Sequence, residues 1–272
     1  MEARKAKSCD TKAVFGTKEW AKFNINIMKG CLHDCKYCYA KSMALRYGTT
    51  NIESWKDETP NSRKIPKRYQ KKDGTTMFPT THDITPDNLD YCISFLSSYL
   101  LPGNEVLIVS KPHLECIKSI CDSFPQYRDN ILFRFTIGST NSSILKFWEP
   151  GAPDFEERLS ALVYAYEAGF KTSVSVEPML DDKVDELIDH VLPYVNDAIW
   201  IGKPNDLISR CRINGHGDPE TLQRSRSLIA SQPDDYIWNL YNRYHNNPQI
   251  KWKESIKKII GLEIPTESGL DI

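Results

Sequence analysis

Six short apolar segments, each with a helical pattern behind it, follow one another between residues 23 and 201. The clearest is 105–110, where Val-Leu-Ile-Val is β-branched and uninterrupted. The others are 23–28, 75–79, 131–137, 171–176 and 198–201. Helices are expected at 36–46, 86–100, 113–123, 155–168 and 184–192, with Pro86 in a first turn and Gly169 as a stop. Strands separated by helices pair in parallel, because each crossover returns the chain to the same end of the sheet. Strands apolar along their whole length are buried on both faces. The pattern predicts an α/β fold with a parallel (βα)6 sheet, either a partial TIM barrel or an open doubly wound sheet. After Gly202 the alternation weakens. Residues 207–230 are charged and partly helical, 235–244 are rich in Tyr, Trp and Asn, and 250–260 reads as a last helix closed by Gly261. The expected division is a core domain over 1–203 and a mostly helical C-terminal extension over 204–272 packed on it.

Between the first strand and the first helix stands Gly30-Cys31-Leu32-His33-Asp34-Cys35-Lys36-Tyr37-Cys38. Three thiolates spaced C-x3-C-x2-C on a loop suit three irons of a cubane and leave the fourth iron open for chemistry. A zinc site is the alternative. Cys35 and Cys38 have the usual zinc pair spacing, and His33 or a distant residue would complete the set. No second paired knuckle follows, and His216 near Cys211 is isolated.

Eight cysteines in 272 residues are too few for a disulfide scaffold. Residues 1–10 are charged and lack the apolar core of a secretory leader. No apolar run approaches the roughly 20 residues that span a bilayer. The expected compartment is reducing and cytoplasmic, with no membrane partner. A formal net charge of -1 excludes a strongly basic nucleic-acid binder, so any such contact must be a local patch.

The triplet, with Tyr37 directly before its last cysteine, resembles the signature of radical S-adenosylmethionine (radical SAM) enzymes. Further runs extend the likeness over 22–203: Pro79-Thr80-Thr81-His82-Asp83 before Ile84-Thr85-Pro86, Val109-Ser110-Lys111, Glu149-Pro150-Gly151-Ala152-Pro153 before Glu157-Arg158-Leu159, Glu167-Ala168-Gly169-Phe170, and Glu177-Pro178-Met179. Together they resemble the branch containing spore photoproduct lyase. The resemblance implies a [4Fe–4S] cluster on Cys31, Cys35 and Cys38, with S-adenosylmethionine chelating the unique iron. It implies reductive cleavage to methionine and a 5′-deoxyadenosyl radical, hydrogen abstraction from a substrate, and an electron donor such as flavodoxin or ferredoxin. Tyr37 would cover the adenine. The superfamily's Gly-Gly-Glu-like run is replaced here, so Thr81 and Asp83 become the candidates for the methionyl ammonium. A plain N-cap turn at Asp83 or Thr85 is the alternative.

Other candidates lie where parallel strands end, the rim on which such folds bind ligands. Ser110 and Lys111 end the third strand, and Lys111 suits the methionyl carboxylate or a pair with Asp83, with a solvated lysine as the alternative. Ser139 and Thr140 follow the fourth and suit a ribose. Glu177 ends the fifth, and Trp200 and Lys203 flank the sixth. The lyase reaction uses a cysteine as hydrogen donor. None stands at 80–83, so a different substrate is expected. The densest basic run, 63–72, is expected near the mouth of the site as a contact for a nucleic acid or nucleotide, or else as a solvated loop. The other functional classes are peptide or protein side-chain modification and a cluster-bearing scaffold that no longer cleaves S-adenosylmethionine.

Overall fold

The computed structural model describes residues 13–65 and 68–270. The charged residues 1–10, Cys9 among them, lie outside the described residues, as do Pro66 and Lys67 of the basic run. A one-turn helix, α1 (Thr17–Trp20), leads into β1 (Phe23–Asn24). β2 (Met28–Lys29) and β3 (Thr59–Pro60) form a small antiparallel pair of their own, with α2 (Tyr39–Arg46) between them in the chain. Then come β4 (Thr76–Phe78), α3 (Leu89–Leu100), β5 (Val106–Ser110), α4 (Leu114–Ser123), β6 (Ile131–Thr136), α5 (Ser142–Trp148), α6 (Phe155–Glu167), β7 (Lys171–Val176), α7 (Val184–Val191) and β8 (Ile199–Ile201). The extension supplies α8 (Leu207–Ile213), α9 (Pro219–Ala230), α10 (Asp234–Tyr244), β9 (Ile250–Trp252) and α11 (Glu254–Ile260).

The main sheet has seven strands in the order β1-β4-β5-β6-β7-β8-β9, every pair parallel. Six were expected. The seventh is β9, drawn from a segment read as helix. Its Ile250 and Trp252 point into the core while Lys251 is half-exposed, so it fits a sheet edge better than a helix. The helix begins two residues after Trp252 and stops at Gly261, whose φ is +80°. The expected strand 23–28 is cut short for a different reason. Asn26 spends its side chain on the next strand's loop: Oδ1 accepts from Thr80 N (2.6 Å) and Thr81 N (2.9 Å), and Nδ2 donates to Thr80 Oγ1 (2.7 Å). Ile27 N donates to His82 Nε2 at 3.2 Å. These side chains replace the ladder partners, and the chain leaves the sheet. The helix α5 was not expected. Asn141 starts it by accepting from Ser143 N and Ile144 N.

The sheet is curled. Trp20 stands just before β1, and in a flat sheet β1 and β8 would be about 24 Å apart. Yet the Trp20 and Trp200 rings meet at 5.7 Å, and the Arg134 guanidinium lies 4.7 Å from one and 5.3 Å from the other. Lys253, next to β9, pairs with Glu19 of α1 at 2.7 Å. The two edges are thus joined through α1, although β1 and β9 are not paired with each other. The concave face is filled by Trp20, Met77, Leu107 and Trp200, and the larger core lies between the sheet and its helices. Among the described residues no helix is long and apolar enough to cross a membrane.

Candidate active site

The cysteine loop is held from both sides by close backbone packing. Gly30 has φ +84°, and a Cβ there would lie 2.6 Å from Trp55 O. Cys31 N donates to that same oxygen at 2.9 Å. On the other side a Cβ on Gly151 would lie 2.4 Å from Leu32 O and 2.8 Å from His33 Cα. Gly151 N donates to His33 O at 3.0 Å, and Lys36 N to Trp148 O at 2.9 Å. Asp34 takes a left-handed turn (φ 46°) and places its carboxylate 2.6 Å from the buried Lys41 ammonium. Cys38 ends the loop as the cap of α2, its sulfur accepting from Lys41 N at 3.4 Å. The helix expected from Lys36 therefore starts at Tyr39.

Beneath the loop lies a buried ion pair. Arg158 meets Glu149 at 2.5 Å, both fully buried, and also donates to Pro153 O and Thr136 O. The Tyr37 hydroxyl donates to Glu149. Burial works to raise the Glu149 carboxyl, but Arg158, Lys111 and Tyr37 bring it below its ordinary range. Glu149 and Arg158 were not among the expected site residues; the run 149–153 was noticed without a role.

A cavity of about 470 Å³ opens at the C-terminal ends of the strands. Cys31, Cys35 and Cys38 all line it, and so do Tyr37, Thr81, Asp83, Ser110, Lys111, Glu177 and Lys203. Three expected residues do not. Trp200 is fully buried in the packing between the sheet edges. Ser139 is buried, donates to Asp181 and accepts from Asn141 N, which ties its loop to the start of α7. Thr140 next to it is half-buried and away from the wall. Cys92, Cys116, Cys121 and Cys211 are buried free thiols that also stay off the wall. Arg210 of α8 does line it, from a segment not previously connected with the site.

Asp83 is committed within the protein. One carboxylate oxygen accepts from Ile84 N, Lys111 N and the Ser110 hydroxyl; the other accepts from Lys111 N and faces His33 Nδ1 at 3.1 Å. Burial alone would raise Asp83, but His33, Lys111 and Ser110 hold it well below the ordinary carboxylate range. Little of it remains for a ligand's ammonium, the role expected for it. His33 continues through Nε2 to His113 Nε2 at 3.0 Å, and His113 lies 3.5 Å from Glu157. With both ring nitrogens engaged, His33 has none left for zinc. Among the described residues no three His, Cys, Asp or Glu side chains converge closely enough to hold a single ion. One zinc would draw its sulfurs to about 3.8 Å of each other.

The donor set nevertheless suits a larger, cationic group. Burial first, then the neighbouring acids and thiols, raises Cys31 well above the ordinary thiol range; burial likewise raises Cys35 and Cys38. Such thiols stay protonated until a metal takes them. Lys111 has burial against its charge, yet Cys35, Glu149 and Asp83 raise it above the ordinary ammonium range. Burial raises Glu177, with Lys253 at 3.6 Å working against that rise.

Among the described residues of the basic run none lines the cavity. Lys71 donates to Gly103 O and Lys72 N to Asn104, both before the start of β5, at the opposite end of the sheet from the cavity. Lys64 is bound to Asn26 O and Tyr69 packs on Phe95 and Tyr99.

The Radical SAM superfamily model matches residues 25–192, more than half of the chain. The chain belongs to the radical SAM superfamily. An uncharacterised protein of Methanocaldococcus jannaschii, MJ0683, is 27% identical over 179 residues, 65% of this chain and 68% of that one. The ORF301 protein of Acidianus two-tailed virus is 26% identical over 59% of this chain, which spans 56% of its relative. Among solved structures, a spore photoproduct lyase variant with a dinucleoside spore photoproduct superposes with TM-score 0.54 at 16% identity, over 90% of this chain and 79% of the lyase. Streptococcus suis SuiB bound to S-adenosylmethionine superposes with TM-score 0.51 at 12% identity, over 88% and 52%. At those identities the likeness is one of fold.

Proposed function

We propose that this radical SAM protein binds a [4Fe–4S] cluster through Cys31, Cys35 and Cys38, binds S-adenosylmethionine beside it, and takes a hydrogen atom from an anionic substrate of the nucleotide or nucleic-acid class. The observation that carries the reading is the meeting of three free thiols, two buried and one half-buried, on one cavity wall, with charged groups delivered to the same cavity by strand ends. Bound together, cluster and S-adenosylmethionine supply a 5′-deoxyadenosyl radical on one-electron reduction. The chain supplies position and shelter. Lys111, its charge favoured by the acids around it, suits the methionyl carboxylate. Thr81 and the neighbouring backbone suit the ammonium, while Asp83 anchors His33 and so the loop. Glu177 faces the cavity and suits ribose hydroxyls. The curled sheet, which we read as a partial barrel with a seventh strand, encloses the site and excludes water. A reducing, cytoplasmic compartment suits such a group.

Support for an anionic substrate comes from the rim. Arg210 lines the cavity, and among the described residues its guanidinium has no hydrogen-bond or ion-pair partner. Lys203 lines the same side, and the Tyr39 ring is 40% exposed. An unpaired guanidinium beside an aromatic surface suits a phosphate followed by a base.

Anaerobic reconstitution is expected to give roughly four irons per chain, and the reduced protein to release 5′-deoxyadenosine. A normal cluster in Cys35→Ala would overturn the assignment. Deuterated DNA and RNA pools are expected to pass deuterium into 5′-deoxyadenosine. Transfer from a peptide pool alone would overturn the substrate class.

A further inference from the structure

One face of α2 is bare. Tyr39, Met43 and the C-capping Tyr47 recur every four residues, so they follow one line along the helix. They are 40%, 43% and 75% exposed. Other sides of the helix are spent on packing: Ala40 and Ala44 join Trp55, and the Ser42 hydroxyl donates to Asn214 at the end of α8. Tyr39 also lines the cavity, and its hydroxyl donates to Thr80 O, which fixes the ring. The stripe therefore starts at the cavity wall and runs outward along α2. Large apolar side chains exposed in a row, rimmed by polar ones, mark a contact surface.

Guanidiniums border the stripe. Exposed Arg46, seven residues after Tyr39, lies on the same side of α2. The end of α8 is fastened to the start of α2: Asn214 Nδ2 donates to Lys36 O at 3.0 Å and to Cys38 O at 2.9 Å. This brings Arg210 to the cavity wall and leaves Arg212 exposed. Among the described residues none of these three guanidiniums has a hydrogen-bond or ion-pair partner. Neither helix carries an aspartate or glutamate. On the flanking segments Asp34 is buried on Lys41 and Asp218 caps α9. Glu53, Asp57 and Asp206 are exposed there, with Lys56 and Lys203 among them, so the three guanidiniums remain in excess.

We infer that this face of α2, with Arg46, Arg210 and Arg212 beside it, is a stacking track for a single-stranded nucleic acid whose reacting nucleotide sits in the cavity. The inference rests on the nucleotide reading above and narrows it from a free nucleotide to a strand. Four residues of helix rise about 6 Å. Along one strand of a duplex the bases repeat at about 3.4 Å. A strand that lays one base on each of Tyr39, Met43 and Tyr47 must part its bases. A single strand permits that and a paired duplex does not. Aromatic rings accept the flat face of any base, the Met43 thioether packs against the edge of one, and guanidiniums hold the phosphates between them. The track thus adds grip without reading sequence.

The test uses the reconstituted protein with labelled oligothymidylate and oligouridylate strands of about twelve nucleotides. Binding is read by fluorescence anisotropy at low and high salt, which requires no turnover. Tyr47→Ala is expected to weaken strand binding by about tenfold. Tyr47→Trp is expected to keep the affinity and to show indole emission quenched by the strand beyond that of the parent. Arg46→Ala is expected to flatten the slope of log affinity against log salt by about 0.7. Tyr47 is largely exposed, so iron content and denaturant midpoint are expected to stay at the parent's values. Tyr166→Ala, an exposed ring at the far end of α6, is expected to leave binding unchanged. Strands annealed to their complements are expected to bind more weakly than the single strands. Unaltered strand binding in the Tyr47→Ala, Arg46→Ala double variant would overturn the track, and so would equal affinity for the duplex. Deuterium transfer into 5′-deoxyadenosine from the nucleic-acid pools tests the nucleotide reading separately: transfer without any effect of the variants on binding removes the track alone.

Discussion

Gly151→Ala tests whether the 149–153 segment shapes the cysteine loop. The added methyl would stand 2.8 Å from His33 Cα and 2.4 Å from Leu32 O. Carbon atoms pack best at about 3.5 Å, so one backbone segment must retreat by roughly 0.7 Å. Neither neighbour is the flexible end of a side chain. The Glu149–Arg158 pair fixes one segment, and the Gly30–Trp55 contact backs the other. Overpacking of this kind costs about 1–3 kcal/mol. The hydrogen bond from Gly151 N to His33 O is expected to stretch with it, for about 1 kcal/mol more. A shift of that size also exceeds the roughly 0.5 Å within which a constellation of ligands must be held. Iron per chain after anaerobic reconstitution, the visible spectrum, and the denaturant midpoint of the cluster-free protein are the measurements. Gly151→Ala is expected to lose most of its iron and about 2–4 kcal/mol of stability. Gly217→Ala, where a Cβ meets nothing closer than Arg212 at 3.7 Å, is expected to match the parent. Full iron and an unshifted midpoint in Gly151→Ala would refute the reasoning.

Three further outcomes follow from buried groups. Arg158→Met leaves the Glu149 carboxylate buried without its guanidinium and is expected to cost about 3–5 kcal/mol by chemical denaturation; adding Glu149→Gln is expected to recover part of that loss. Tyr37→Phe removes the hydroxyl donated to Glu149, and is expected to cost about 1–2 kcal/mol while leaving iron content unchanged, so lost iron would argue for a role at the cluster itself. Burial holds His82 down to about 4, with Ile27 N donating to one ring nitrogen and the other donating to Asp83 O. An unfolded histidine titrates near about 6.5, so the neutral ring's contribution is complete above that pH and is lost as pH falls towards about 4. The difference is worth about 3 kcal/mol. His82→Gln is expected to remove that part of the pH dependence of the urea midpoint, and an unchanged slope would sink the assignment.

What the sequence disclosed divides by range. The strand 105–110 declared itself because its apolar run is a local property, and β5 is found at Val106–Ser110. The cysteine spacing is equally local, and all three thiols meet on one wall. Asp83 was picked out for its position at the end of a strand, but its partner was missed. His33 is fifty residues away, and no periodicity links a loop histidine to a carboxylate on the next strand's rim. The same holds for Asn26, whose amide ends β1 early, and for Glu149 with Arg158. Trp200 failed in the opposite sense. At a strand end a tryptophan suits a ligand wall, yet here the curl of the sheet brings Trp20 against it and uses it as packing.

These misses share a physical origin that bears on the site itself. The missed contacts join the cysteine loop, or the loop after β4, to a distant rim segment through a polar group, side chain or backbone, that is already hydrogen-bonded within the protein. Asn26 ties 80–81, Gly151 takes His33 O, Glu149 takes Tyr37, and Asp83 takes His33. Buried polar groups satisfied in this way cost little and resist movement, because breaking one contact leaves a desolvated group behind. The three cysteines are the exception: their thiols, two buried and one half-buried, are pushed up by burial and line the cavity. Arg210 and the Lys111 ammonium are further exceptions, cations on the cavity wall without a hydrogen-bond or ion-pair partner among the described residues. A wall whose backbone and acids are tied down, while three thiols and two unpaired cations face the cavity, is arranged to receive a group that binds sulfur at one end and an anion at the other.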